Sequence, residues 1–294
     1  MRTSALESVY TVLLVASLVL NGVAVAGAVP LRTLFAPLRD PRPVLSALVL
    51  DLLIAPLLIL LPAVLLRLDP HVYAGLVLIA ASSTGPIGIV LVRIAGADLR
   101  LGVSLVTLFG VANLVTIPVL TTLLLPATVP LPVLPVLLSL VTLILLPLLA
   151  GRGFSRLSAR MGWSRAVEQR VLGHLARAST ILLAGAVLTA AFLDLEGVLR
   201  LLAGPITPIV LLSLIGVVVG ARLVGRSRAE RLTVGLVISA RGAGVALAVA
   251  GLHLADAPDT RAAILAVAGV TQLLPLLAAI AAGRRRRVPG GSPG

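Results

Sequence analysis

The chain has 294 residues, 59% hydrophobic and 12% charged, with a formal net charge of +13 and a mean hydropathy of +1.15. A soluble domain would be about a quarter charged, so the composition excludes one and points to an all-α polytopic membrane protein. Without cysteine the chain has no disulfide framework, thiolate metal site or cysteine nucleophile.

Nine apolar runs, each about long enough to cross a bilayer as a helix, follow one another. They lie at roughly 9–29, 43–66, 73–94, 100–125, 130–150, 177–194, 199–222, 231–254 and 261–283. The first follows Arg2 and ends in "AVAGA" at Ala28, as a signal peptide would. It is longer than the apolar region of such a peptide, and cleavage would put Arg32, Arg39 and Arg42 against the charge balance, so it is read as a first span. All 24 basic residues are arginine. Summed over alternate connections, nineteen fall on one face, Arg2, Arg67, Arg200 and Arg261 fall on the other, and Arg241 lies within a span. The positive-inside rule then expects an inner (plasma) membrane location with the N-terminus outside and the C-terminus in the cytoplasm. The excess charge suits anionic lipid at that face rather than nucleic acid. No protein partner is implied.

The third and eighth spans share an odd texture. "AGLVLIAASSTGPIGIVLVRIAG" and "VGLVISARGAGVALAVAGLHL" both open on a Gly-Leu-Val triplet, at Gly75 and Gly235. Each then meets a break: Ser82, Ser83, Thr84, Gly85 and Pro86 in the first; Arg241, Gly242, Ala243 and Gly244 in the second. Proline lacks the donor a continuing helix needs, yet fits the first turn of a new one. The two spans run in opposite directions and hold matching places in two halves, the pattern of inverted repeats with two crossed discontinuous helices. Irregular backbone at membrane depth persists only inside protein or beside a water-filled cavity, and half-helix N-termini suit an anion. Arg241 itself costs roughly 2.5–3.5 kcal/mol at a span centre on insertion scales, and so needs a partner.

At these residues the chain resembles the bile acid/sodium symporter family, from about Pro30 to the C-terminus. "PLRTLFAPLRDPRPVLSALVLDLLIAPLL" resembles the stretch leading into the family's second span. "AGADLRLGVSLVTLFGVANLVTIPVL" resembles its GD-x-x-L-x-V-x-L stretch, and "GAGVALAVAGLH" its N-S-G-L-A-V-A-L-A stretch. The resemblance implies a secondary transporter of an organic anion by alternating access, coupled to sodium. It also implies a panel domain, about 9–29 and 130–194, and a core domain, about 43–125 and 199–283. The sodium ligands do not carry over. Gly88 and Ile89 stand where coupled members have Ser-Asn, Gly102 and Val106 where they have a serine and a threonine, and Val237 where they have a glutamate. Arg241 stands at a nearby glutamine, although some bacterial members resemble it with Q-R-N there. The family's glutamine five residues before a proline aligns with Asp51, five before Pro56. Asp51 is therefore expected to neutralise Arg241, which would replace sodium as a resident cation or bind a substrate carboxylate. Protonation of Asp51 would free Arg241 for that substrate. A permanent structural pair is the alternative.

Lesser cavity candidates are Asn113, Ser104 and Thr107 on the fourth span and Thr271 and Gln272 on the ninth, where the family often has a His-Asn pair. Asn21 is equally open. His71, His174 and His253 lie at span ends without metal-ligand spacing, so no metal and no cofactor is expected. No H-E-x-x-H, phosphate-binding glycine loop or G-x-S-x-G occurs, so no enzyme is read. "SARGAGVALA" also resembles a stretch of monovalent cation/proton antiporters, but the fourth span lacks the aspartates that group carries. The resulting expectation is a carrier of a small organic anion, such as a monocarboxylate with an apolar body, not coupled to sodium.

Overall fold

Helix covers nearly all of the computed structural model, which describes residues 2–28, 41–85, 87–129 and 131–287. Arg32, Arg39 and Pro86 lie outside the described residues. In chain order, α1 is Arg2–Ala28. Helix α2 comprises Pro41–Val49, a π-helical turn at Leu50–Ile54 and Ala55–Leu65. Then come α3 (Pro70–Ala81), α4 (Ile87–Ile94) and α5 (Leu99–Leu124). Helix α6 joins Val133–Leu140, a π turn at Val141–Leu145 and Leu146–Arg160. There follow α7 (Arg165–Leu193), α8 (Leu195–Ala203), α9 (Ile206–Val224), α10 (Arg228–Ser239), α11 (Ala243–His253) and α12 (Pro258–Arg287).

Eight stretches of the described chain are long and apolar enough to cross a membrane, one of them Arg228–His253 taken across its break. The third of the nine expected crossings, 73–94, is divided into α3 and α4, and α3 alone is a short apolar helix. The chain is a multi-pass, all-helical membrane protein. Large apolar side chains such as Leu57, Leu123, Ile181, Leu188 and Phe192 face outward, as lipid-facing surfaces require.

Several boundaries differ from the sequence expectation, each for a visible reason. The fifth and sixth spans continue as helix to Arg160 and from Arg165. The arginines at 152–177 therefore sit on helical extensions rather than in a loop. The expected seventh run, 199–222, begins in the separate short helix α8, and the crossing itself is α9, which starts after Gly204 and Pro205. Arg261, expected in a connection, lies in the first turn of α12 and is buried.

Local chemistry fixes the helix starts around the site. Asp69 caps α3, its carboxylate accepting from the His71 and Val72 N–H groups at 2.8 and 3.4 Å, with Pro70 in the first turn where its missing donor is harmless. Asp98 caps α5 the same way, accepting from Arg100 and Leu101 at 3.0 Å each. Ser227 and Glu230 form a capping box on α10.

Helix α1 packs along α6 and α7. Ser179 Oγ donates to the Ser17 carbonyl and Ser155 Oγ to the Gly27 carbonyl, both at 2.9 Å. Helix α10 packs against α4, α5, α9 and α12, and α11 against α1, α3, α6 and α12. In the apolar window of the α10–α11 stretch 83% of residues are buried, against 17% for α7, which places the second broken span at the centre of the bundle. One apolar cluster occupies the half of the bundle toward the arginine-poor face, with Leu76–Ala81, Ala246–Ala250 and Ala262–Ala268 within it. A second, with Leu50, Leu91, Phe109, Val217 and Val237, occupies the arginine-rich half.

Candidate functional site

The two breaks meet in the interior. A side chain on Gly242 would run into the Ser83 carbonyl oxygen, so only glycine lets the two backbones approach this closely. Residues 82–84 between α3 and α4 are buried, as are Ala240, Arg241 and Gly242 between α10 and α11. The C-termini of α3 and α10 and the N-termini of α4 and α11 converge at this point, bringing the partial charges of four helix ends together.

Arg241 lies among oxygens. Its Nη1 is 3.1 Å from Asp51 Oδ1, with the two side chains 2% and 0% exposed. Nη1 also donates to the Ala80 carbonyl and Nη2 to the Asp51 carbonyl, both at 3.3 Å. The sequence explains both carbonyls. Ala80 is in the last turn of α3, where carbonyls have no intrahelical donor. In α2 the Ala55 N–H turns to Leu50 O across the π turn, and Pro56 has no N–H to give. The Asp51 carbonyl is thus left for the guanidinium. The Pro56 that marks Asp51 in the sequence also creates its second contact with Arg241.

The first break is held by α5. Asn113 Oδ1 accepts from the Ser83 N–H at 2.9 Å, and Thr116 Oγ1 donates to the Ala81 carbonyl at 3.1 Å. Thr116 was not singled out from the sequence, though it lies three residues beyond Asn113 and so on the same helix face. Among the described residues, four buried oxygens at the crossing make no hydrogen bond of good geometry: both carboxylate oxygens of Asp51 and the hydroxyls of Ser82 and Ser83. The Asp51–Arg241 contact is therefore ionic rather than a well-aligned hydrogen bond. Apart from that ionic contact the Asp51 side-chain oxygens are unengaged, and the two hydroxyls can donate or accept.

Gly88, Gly102, Val106 and Val237, expected from the resemblance to stand at sodium-ligand positions, carry no side-chain oxygen. A Cβ on Gly88 would meet Thr84 Oγ1 and, at 3.3 Å, a methyl of Val106. Gly88 and Val106 are thus neighbours, without a side-chain oxygen of their own. Gly102 packs on Val92, and Val237 is buried in the apolar cluster of the arginine-rich half.

The remaining candidates make no hydrogen bond to Arg241 or Asp51 among the described residues. Thr271 Oγ1 donates to Val267 O of its own helix at 2.9 Å. No hydrogen bond among the described residues links Thr271 or Gln272 to Arg241 or Asp51. Thr107 likewise bonds its own helix at Val103 O. Ser104 is buried on α5, and Asn21 is half-buried on α1. A Cβ on Gly244 would meet Leu18 of α1 and Leu183 of α7 at 3.3 and 3.5 Å, whereas one on Gly85 would meet nothing within 4 Å. His253 Nε2 pairs with Ser139 Oγ at 2.9 Å. No cluster of three metal-ligating side chains occurs among the described residues.

A search among curated proteins returns no match. The profile described as the Sodium Bile acid symporter family matches residues 15–223, a stretch that includes Asp51, the first break and Asn113 and ends before Arg241. That match covers most of the chain, and the chain belongs to the sodium bile acid symporter family.

Proposed function

We propose that this chain is a secondary-active carrier of a small organic anion that works by alternating access without bound sodium, with Arg241 as its built-in cation. The observation that carries the reading is the convergence of Asp51 Oδ1, the Asp51 carbonyl and the Ala80 carbonyl on one buried guanidinium. One carboxylate and two carbonyls are the donors a hard monovalent cation would need, and here a fixed charge occupies their centre. The absence of oxygen-bearing side chains at Gly88, Gly102, Val106 and Val237 supports the same reading.

In the proposed cycle the ion pair is a switch. With Asp51 ionised, Arg241 is neutralised and the site has no net charge. When Asp51 takes a proton, Arg241 is left as an uncompensated cation beside the N-termini of α4 and α11, an arrangement that favours a carboxylate. Substrate release and proton loss restore the pair. The substrate class follows from the chemistry: one cation within mostly apolar walls suits a monocarboxylate with an apolar body. The two moving units would be α1, α6 and α7 as the panel and the remaining helices as the core, arranged as inverted repeats. The arginine-rich face would be cytoplasmic, with the chain in the inner (plasma) membrane.

The test is uptake of radiolabelled monocarboxylates of graded chain length into proteoliposomes. The expected result is uptake driven by an inward proton gradient and unchanged when choline replaces sodium. Arg241→Gln should abolish it, and Asp51→Asn should remove its response to pH. An Asp51→Asn protein that kept both uptake and pH response would refute the coupling. Uptake that follows a sodium gradient would refute the whole reading. A monovalent cation/proton antiporter, the other reading of the broken-helix plan, finds no acidic residue in α5 from Leu99 to Leu124.

A further inference from the structure

The two apolar clusters differ in membership. Toward the arginine-poor face, Tyr10 and Leu14 of α1 and Val136 and Leu140 of α6 share a cluster with α3, α11 and α12. Toward the arginine-rich face, the cluster holds no residue of α1, α6 or α7. Among the described residues the α1–α6–α7 group is therefore sealed to the other helices by apolar core at one end only.

Polar contacts gather at the same end. The Tyr10 hydroxyl donates to the Leu247 carbonyl of α11 at 2.9 Å. Arg261, in the first turn of α12, donates to both carboxylate oxygens of Asp194 at the end of α7, with Nη2 to Oδ1 at 3.1 Å and Nε to Oδ2. Its Nη2 is 3.9 Å from Glu7 Oε1 of α1, and its guanidinium carbon is 5.7 Å from the centre of the Tyr10 ring. The Arg261 and Asp194 side chains are 8% and 6% exposed, whereas the nearby Arg200–Asp259 pair is 66% and 42% exposed. An exposed pair of that kind contributes little. A buried bidentate pair is different: it is strong while water is excluded, and both charges regain hydration when it parts. Such a pair holds a closed interface without making its opening prohibitive, which apolar contact alone does not do. It also joins the two groups of helices, unlike Asp51–Arg241, whose partners lie outside α1, α6 and α7.

We propose that Arg261, Asp194, Glu7 and Tyr10 form a latch that closes the arginine-poor face, and that this structure is the state closed on that face. Opening toward that face requires Arg261 to leave Asp194 and Tyr10 to leave Leu247. The functional meaning of the latch rests on the carrier reading above, but its action can be measured without any substrate.

The chain has no cysteine, so single cysteines report cleanly. Val136→Cys places a thiol in the sealed cluster, and Ala47→Cys places one in the arginine-rich cluster; both native residues are fully buried. The reaction of each with a water-soluble maleimide is followed on the full-length purified protein. In the otherwise unchanged chain Val136→Cys should be protected. Arg261→Gln or Asp194→Asn should speed its labelling by roughly tenfold or more, as a population shift of that size would. The exchanged pair Arg261→Asp with Asp194→Arg should slow it again. Tyr10→Phe, which keeps the ring and loses the hydroxyl, provides a milder variant that should also speed labelling. Ala47→Cys should stay protected throughout. An unchanged rate at Val136→Cys in all these variants, failure of the exchange to restore protection, or equal exposure of Ala47→Cys would overturn the latch. A failed latch leaves the carrier reading standing, and absent uptake leaves the latch standing, because the two are read by different assays.

Discussion

Neutralising Asp51 while leaving Arg241 in place tests the site most severely. With Oδ1 and Nη1 3.1 Å apart, two unit charges at an effective dielectric of about 20 attract by about 5 kcal/mol. Removing one member of a buried pair costs about 3–5 kcal/mol, because the other charge stays buried without a partner. Asp51→Asn alone and Arg241→Gln alone should each lose that much, a large part of a total stability of about 5–15 kcal/mol. The double variant leaves no orphaned charge and should lose clearly less than the sum. The assay is reversible unfolding by detergent titration in mixed micelles, followed by circular dichroism, with all four proteins closing a double-mutant cycle. A coupling of several kcal/mol is expected. Additive losses within about 0.5 kcal/mol would mean the two side chains do not interact, and the site described here would be wrong.

Two further predictions concern the backbone of the crossing. Gly242→Ala should destabilise by about 1–3 kcal/mol through overpacking against the Ser83 carbonyl, whereas Gly85→Ala, where a Cβ meets nothing within 4 Å, should change thermal stability little; equal effects would refute the close crossing. Asn113→Ala should cost about 1–3 kcal/mol, since it orphans the buried Ser83 N–H, and hydrogen exchange at that amide should rise; an unchanged exchange rate would contradict the cap.

The parts of the molecule legible in the sequence are those written in local pattern. Apolar length gives the crossings, and Ser82–Pro86 and Arg241–Gly244 give the two breaks because glycine and proline interrupt a helix for backbone reasons. The residue beside Arg241 comes instead from the family resemblance, which aligns Asp51, five residues before Pro56, with a polar glutamine. What the sequence does not display is the reason for that spacing, a π turn that turns one carbonyl toward a guanidinium 190 residues away. Arg261 and Asp194 were missed for a related reason. Each sits at the end of an apolar run, where a charge is ordinary, and nothing periodic connects residues 67 apart. The helical extensions through Arg152–Arg177 were missed because charge marks the end of a membrane crossing, and a helix need not end where the membrane does.

Whether a fixed guanidinium has taken the place of a bound sodium ion is read directly from the thermal stability of the purified protein against rising sodium, with choline as the control, at two pH values. A site filled to about 100 times its Kd would stabilise the fold by about 2.7 kcal/mol, well within detection. Sodium and choline curves should coincide at both pH values. A saturable stabilisation specific to sodium would contradict the replacement, showing that a sodium site persists beside Arg241.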